Sequence, residues 1–92
     1  MKLSFIVNGT ETIVSVTKKT LMYDAAQKAL EQTGNTGRPL GDFQFIYNDR
    51  TLDIKVAIKD AYQINYESGE TEKVIISDGS LIFLSLKAGQ GA

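Results

Sequence analysis

The sequence predicts an α+β fold in which a mixed sheet packs on one helix. Three observations carry that prediction. Two alternating runs meet at Asn8-Gly9, one amphipathic pattern of helical period covers residues 21–32, and an apolar run over residues 81–86 passes into a tail of small residues.

Residues 1–7 place Met1, Leu3, Phe5 and Val7 on one face and Lys2, Ser4 and Ile6 on the other. Asn-Gly between alternating runs signals a two-residue type I′ hairpin, because that turn requires positive φ at both central residues. A two-residue turn fixes the register: Val7 faces Thr10, Phe5 faces Thr12, Leu3 faces Val14 and Met1 faces Val16. These residues share one face, so turn chemistry and hydrophobic pattern agree.

Residues 17–19 are a polar connection. Thr20 reads as the N-cap of a helix over residues 21–32, with Asp24 placing negative charge near its first turn. Met22, Ala26, Ala29, Leu30 and Thr33 form one stripe, and the alanines suit close approach to a sheet. Gly34 is the expected C′ residue. Residues 35–41 form a loop that holds Pro39. The run Gly34-Asn35-Thr36-Gly37 lacks the Lys-Ser/Thr of a phosphate loop and follows a helix instead of preceding one.

Residues 43–48 predict a third strand with Phe43, Phe45 and Tyr47 inward and Ile46 outward, closed by a turn at Asn48-Asp49-Arg50. Residues 51–63 fit both periods: Leu52, Ile54, Val56 and Ile58 alternate, while Ile54, Ala57, Ile58 and Ala61 fit a helical turn. They read as an irregular segment that plugs the end of the core. Residues 66–73 carry Glu67, Glu70 and Glu72 as a solvated acidic loop in which nothing nearby completes a metal's oxygen shell. Residues 74–77 predict a short strand, followed by a hairpin-type turn at Asp78-Gly79. The last strand, with Ser85 as its one polar residue, has the composition of a strand at least partly buried on both faces. By parity, Ile82, Leu84 and Leu86 face the core while Leu81, Phe83 and Ser85 face away.

One amphipathic helix covers one face of this sheet. A last strand lying in the middle, parallel to the first and antiparallel to the third, accounts for its apolar character. That arrangement is the β-grasp.

Composition narrows the function classes. Ninety-two residues make one domain, expected here to span residues 1–87 with a flexible tail over 88–92. A net charge of −1 supplies no basic field for nucleic acid or an anionic membrane. No signal peptide or membrane-spanning run is present, so the expected location is cytoplasmic. Without Cys or His there are no thiol nucleophiles, disulfides, Cys/His zinc sites or imidazole bases. Asp42, Asp49, Asp53 and Asp60 read as turn residues, and Tyr23, Tyr47, Tyr62 and Tyr66 as packing residues. An enzyme is therefore not expected, and neither a resident cofactor nor a metal.

The N-terminal hairpin, the helix, the strand Phe45-Ile46-Tyr47 and the terminal strand with its glycine-containing tail together resemble ubiquitin and ubiquitin-like proteins. The end Leu84-Ser85-Leu86-Lys87-Ala88-Gly89 is similar to those of bacterial ubiquitin-like modifiers. Residues 60–80 depart from ubiquitin as an insertion, and Gly91-Ala92 stands where such modifiers finish in Gly-Gly.

The resemblance implies that Gly89, Gln90, Gly91 and Ala92 form a conjugation tail. A partner activating enzyme would adenylate its carboxylate with ATP, and conjugating enzymes would pass it to an amine on a target protein. Either the activating site accepts the Ala92 methyl, or a processing peptidase first exposes Gly91. The six residues after Leu86 reach ~20 Å when extended, and glycines without Cβ enter narrow slots. Fraying, common at chain ends, is the alternative reading of the tail. If the third and last strands are neighbours, parity puts Ile46, Leu81 and Phe83 together as a candidate binding patch on the open face, unless the inserted segment covers them. The resemblance matches Ile46 to the central isoleucine of the ubiquitin recognition patch. Two alternatives stay open: a β-grasp interaction domain that is never conjugated, and a sulfur carrier that bears a terminal thiocarboxylate.

Overall fold

The computed structural model describes residues 1–65 and 67–87. Strand β1 (Lys2–Val7) turns through Asn8-Gly9 into β2 (Thr10–Ser15). Asn8 and Gly9 have φ of 49° and 79°, the paired positive values of a type I′ turn. The register is the expected one: Val7 opposes Thr10, Phe5 opposes Thr12 and Leu3 opposes Val14. The Val16 N–H donates to the Met1 carbonyl at 2.8 Å.

Helix α1 is Met22–Gln32, with Leu21 as its N-cap. The expected cap at Thr20 is not formed. Its hydroxyl instead accepts the Thr17 N–H at 3.0 Å. The free donors of the first turn are met by backbone from elsewhere: Met22 N–H donates to the Val56 carbonyl and Tyr23 N–H to the Ile54 carbonyl, both at 2.9 Å. A tertiary partner has replaced the local side-chain cap. The helix buries Met22, Ala25, Ala26, Ala29 and Leu30 on the sheet. Thr33, placed on that stripe by spacing, is the C-cap, and Ala25 is an additional core residue. The helix ends in a Schellman motif, with Asn35 N–H to Leu30 carbonyl at 2.8 Å, Gly34 N–H to Glu31 carbonyl at 3.3 Å, and Gly34 at φ 73°.

A 3-10 turn (Leu40–Asp42) leads into β3 (Phe43–Tyr47). Asn48 and Asp49, at φ 51° and 63°, make a second two-residue turn into β4 (Arg50–Leu52). Arg50, read as a turn residue, thus begins a strand. The ambiguous stretch that follows resolves into β4, an extended connection, a 3-10 turn (Ile58–Asp60) and β5 (Tyr62–Ile64). Ile58 is 1% exposed, and the Ile58 and Lys59 amides bond to the Thr20 and Lys18 carbonyls at 2.9 Å. The segment does plug the core end, but it carries two strands that periodicity did not reveal.

The strand expected at residues 74–77 is absent, and β6 lies earlier, at Thr71–Lys73, paired to β5. Thus the acidic stretch is a hairpin arm as well as a loop. Asp78-Gly79 is a turn, with Gly79 at φ 86° and Ser80 N–H to Ser77 carbonyl at 3.0 Å. It does not join paired strands, because both edges of the strand that follows, β7 (Leu81–Leu86), are already taken by β1 and β3.

The seven-stranded sheet has the order β2-β1-β7-β3-β4-β5-β6. Strand β7 is central, parallel to β1 and antiparallel to β3, as expected. Ile82 and Leu84 are buried under α1 with Phe5, Phe45 and Leu30. The outward face of β7 is covered only in part, with Leu81 37% and Phe83 43% exposed. The single helix covers only one face, so the other stays open to solvent.

Candidate functional site

The open face of the sheet is built by strand parity. Residues that point away from α1 on adjacent strands line up by register. Phe83 lies opposite Ile6 on β1 and Ile46 on β3. Ile6 pairs Glu11, Ile46 pairs Thr51, Thr51 pairs Ile64 and Ile64 pairs Thr71. One row therefore crosses all seven strands, Glu11–Ile6–Phe83–Ile46–Thr51–Ile64–Thr71, with apolar side chains at four positions. The neighbouring row brings Ile13, Ser4 and Leu81 together, and Ile13 is 56% exposed.

Of the expected patch, the structure makes Ile46 and Phe83 direct cross-strand partners and puts Leu81 two residues along the same face. Ile46 is partly buried, not fully exposed, because Phe83 and Thr51 flank it on both sides. Phe83 and Leu81 hold the accessible apolar surface. Beside them a shallow depression of about 450 Å³ is lined by Ile46, Tyr47, Asn48, Asp49, Leu81 and Phe83. Among the described residues, the inserted segment does not cover this face. It adds β5 and β6 to the sheet edge, and Gln63 beneath them donates its side-chain amide to the Tyr47 carbonyl.

Ile6 and Ile64 belong to the same row but were not placed in the patch by sequence reasoning. Parity already set Ile6 on the outer face. Ile64 had no such signal, because β5 is only three residues long.

The exit of the chain from the sheet is fixed. Leu86 opposes Phe43, and the Lys87 N–H donates to the Asp42 carbonyl at 2.9 Å. Lys87 itself is exposed. The tail residues Gly89, Gln90, Gly91 and Ala92 lie outside the described residues, as does the expected boundary of a flexible segment at 88–92. Among the described residues, no group of three or more Asp or Glu side chains is placed to hold a metal ion, and no helix is long and apolar enough to cross a membrane.

A family model described as Protein of Unknown function (DUF2604) matches residues 1–92. The chain belongs to the DUF2604 family. No curated protein matches this DUF2604 chain. Among solved structures, a designed protein based on the template of human erythrocytic ubiquitin aligns with a TM-score of 0.63 and 21% identity, covering 99% of this chain and 96% of that one. A crystal structure of ATBAG1 in complex with HSP70 aligns with a TM-score of 0.62 and 18% identity, covering 98% of this chain and 42% of that one. The DUF2604 chain thus spans less than half of the ATBAG1 chain. At these identities the likeness is one of fold, and the fold is the ubiquitin-like β-grasp.

Proposed function

We propose that this DUF2604 protein is a ubiquitin-like modifier, a passive cargo whose C-terminal carboxylate is activated by a partner enzyme and joined to target proteins. The observation that carries the reading is the anchored exit of β7: a ubiquitin-like body holds the chain firmly as far as Lys87, and the sequence beyond offers only small side chains and Gln90. The carboxylate would attack the α-phosphate of ATP and release pyrophosphate. An enzyme thiol would then displace AMP, and a target amine would displace the thiol, leaving an amide bond. With no Cys, this chain supplies no thiol of its own. The partners of this reading are activating and conjugating enzymes, a processing peptidase if Gly91 is the reacting end, and target proteins in the same compartment.

The exposed Leu81 and Phe83 favour a second reading, an interaction domain that is never conjugated. Blocking the C-terminus with an uncleavable tag separates the two. Adducts of an N-terminally tagged chain, seen in source cells by intact mass, vanish with the block if the chain is a modifier. If no adducts form with or without the block, the modifier reading fails. A mass gain of one sulfur-for-oxygen exchange at the carboxylate would instead mark a sulfur carrier.

A further inference from the structure

Residues 74–77, Val-Ile-Ile-Ser, have strong β character in sequence, yet they pair with no strand among the described residues. The segment is tied at both ends: Val74 N–H donates to the Ala61 carbonyl at 3.0 Å, Ser77 N–H donates to the Ser80 hydroxyl at 3.1 Å, and the Ser77 carbonyl accepts the Ser80 N–H at 3.0 Å. The N–H and C=O groups of Ile75 and Ile76 make no hydrogen bond to any described residue. Ile76 is anchored in the core at 5% exposure, while Ile75 presents 83% of its surface to solvent. The segment is thus held at both ends and by the packing of Val74 and Ile76 on the core, with the exposed, unbonded backbone of Ile75 between them, adjoining the edge strand β6.

Around it lies a depression of about 740 Å³ whose apolar lining includes Ile58, Val74 and Ile75. Lys18, Lys59 and Lys73 line it. Lys18 and Lys59 are held side by side by the Lys59 N–H bond to the Lys18 carbonyl at 2.9 Å. The one acid in the lining, Asp78, already accepts the Lys2 N–H at 2.7 Å. Asp60 and Glu72 lie next to Lys59 and Lys73 in sequence, and Glu72 is already paired with Arg50 at 3.0 Å. In a chain whose net charge is −1, this cluster is a local positive field over an apolar floor.

We propose that residues 74–77 are a docking strand for an extended segment of a partner protein in which apolar residues are flanked by Asp or Glu. The incoming strand pairs with the free backbone of the exposed Ile75, its apolar side chains cover Ile75 and Val74, and its carboxylates face Lys18, Lys59 and Lys73. This site lies at the start of β7, roughly 20 Å along the six-residue strand from Lys87. A partner bound here leaves the tail accessible, so the site is independent of the modifier reading.

The test is fluorescence anisotropy with a labelled peptide of alternating Val and Ile flanked by Asp and Glu, titrated with the full chain. Its counterpart carries Lys in place of the acids. The expected result is saturable binding of the acidic peptide, at least about tenfold weaker binding of the basic one, and a loss of about tenfold in Ile75→Asp and in Lys59→Glu. Ile75 is so exposed that its variant keeps its melting temperature, which circular dichroism checks. Amide shifts on binding fall on Ile75 and Ile76. The proposal is overturned if neither peptide binds, if the variants bind unchanged, if the shifts fall on the Phe83 face, or if sedimentation shows a dimer that Ile75→Asp abolishes, since the occupant is then a second copy.

Discussion

Phe83 on β7 and Ile46 on β3 face each other across the ladder at the centre of the open sheet, yet they differ in exposure. Phe83 is 43% exposed, so it contributes surface more than stability. Phe83→Ala is expected to change unfolding free energy in urea by no more than about 1 kcal/mol, while Ile46→Ala costs about 1–2 kcal/mol because its flanks are covered. Equal and large losses would mean that this face is core.

The second hairpin turn carries two non-glycine residues at positive φ, Asn48 and Asp49. Asn tolerates this region well, but the second position of a type I′ turn favours Gly. Asp49→Gly is expected to raise stability by about 0.5–1 kcal/mol, and Asp49→Val to lower it by about 1–2 kcal/mol through the cost of a β-branched residue there. Thermal unfolding of the two variants checks the opposite signs.

The first turn of α1 is capped by the backbone of the Ile54–Val56 stretch, not by Thr20. Hydrogen exchange is expected to find the Met22 and Tyr23 amides protected, where a helix capped only by water exchanges fast. Fast exchange at both would refute this tertiary cap.

Ile58 is the plug that joins the inserted region to the core, at 1% exposure. Ile58→Ala is expected to cost about 2–4 kcal/mol. In a domain of this size that is a large share of total stability, and a broad loss of protection around α1 should accompany it.

The legible parts of this fold are those whose information is local. Asn8-Gly9 with its two alternating flanks fixed a turn and a register together, and Gly34 fixed a helix end. Strand β7 was placed at the centre because its run of apolar residues is long. Strands β4, β5 and β6 are three residues each, too short for a period, and they exist because they pair with one another. Residues 74–77 show the converse: their β-rich composition suggests a strand, but they pair with no strand among the described residues. The patch followed the same division. Ile46 and Phe83 were found by parity, whereas Ile64 had to wait for its strand.

The most direct test of the modifier claim is to digest proteins from source cells with trypsin and search for branched lysines. Cleavage after Lys87 leaves the remnant Ala88-Gly89-Gln90-Gly91, with or without Ala92, on the acceptor. The account predicts target lysines bearing that remnant, lost when the C-terminus is blocked. Abundant unmodified tail peptide, with no lysine or other amine carrying the remnant, would contradict it.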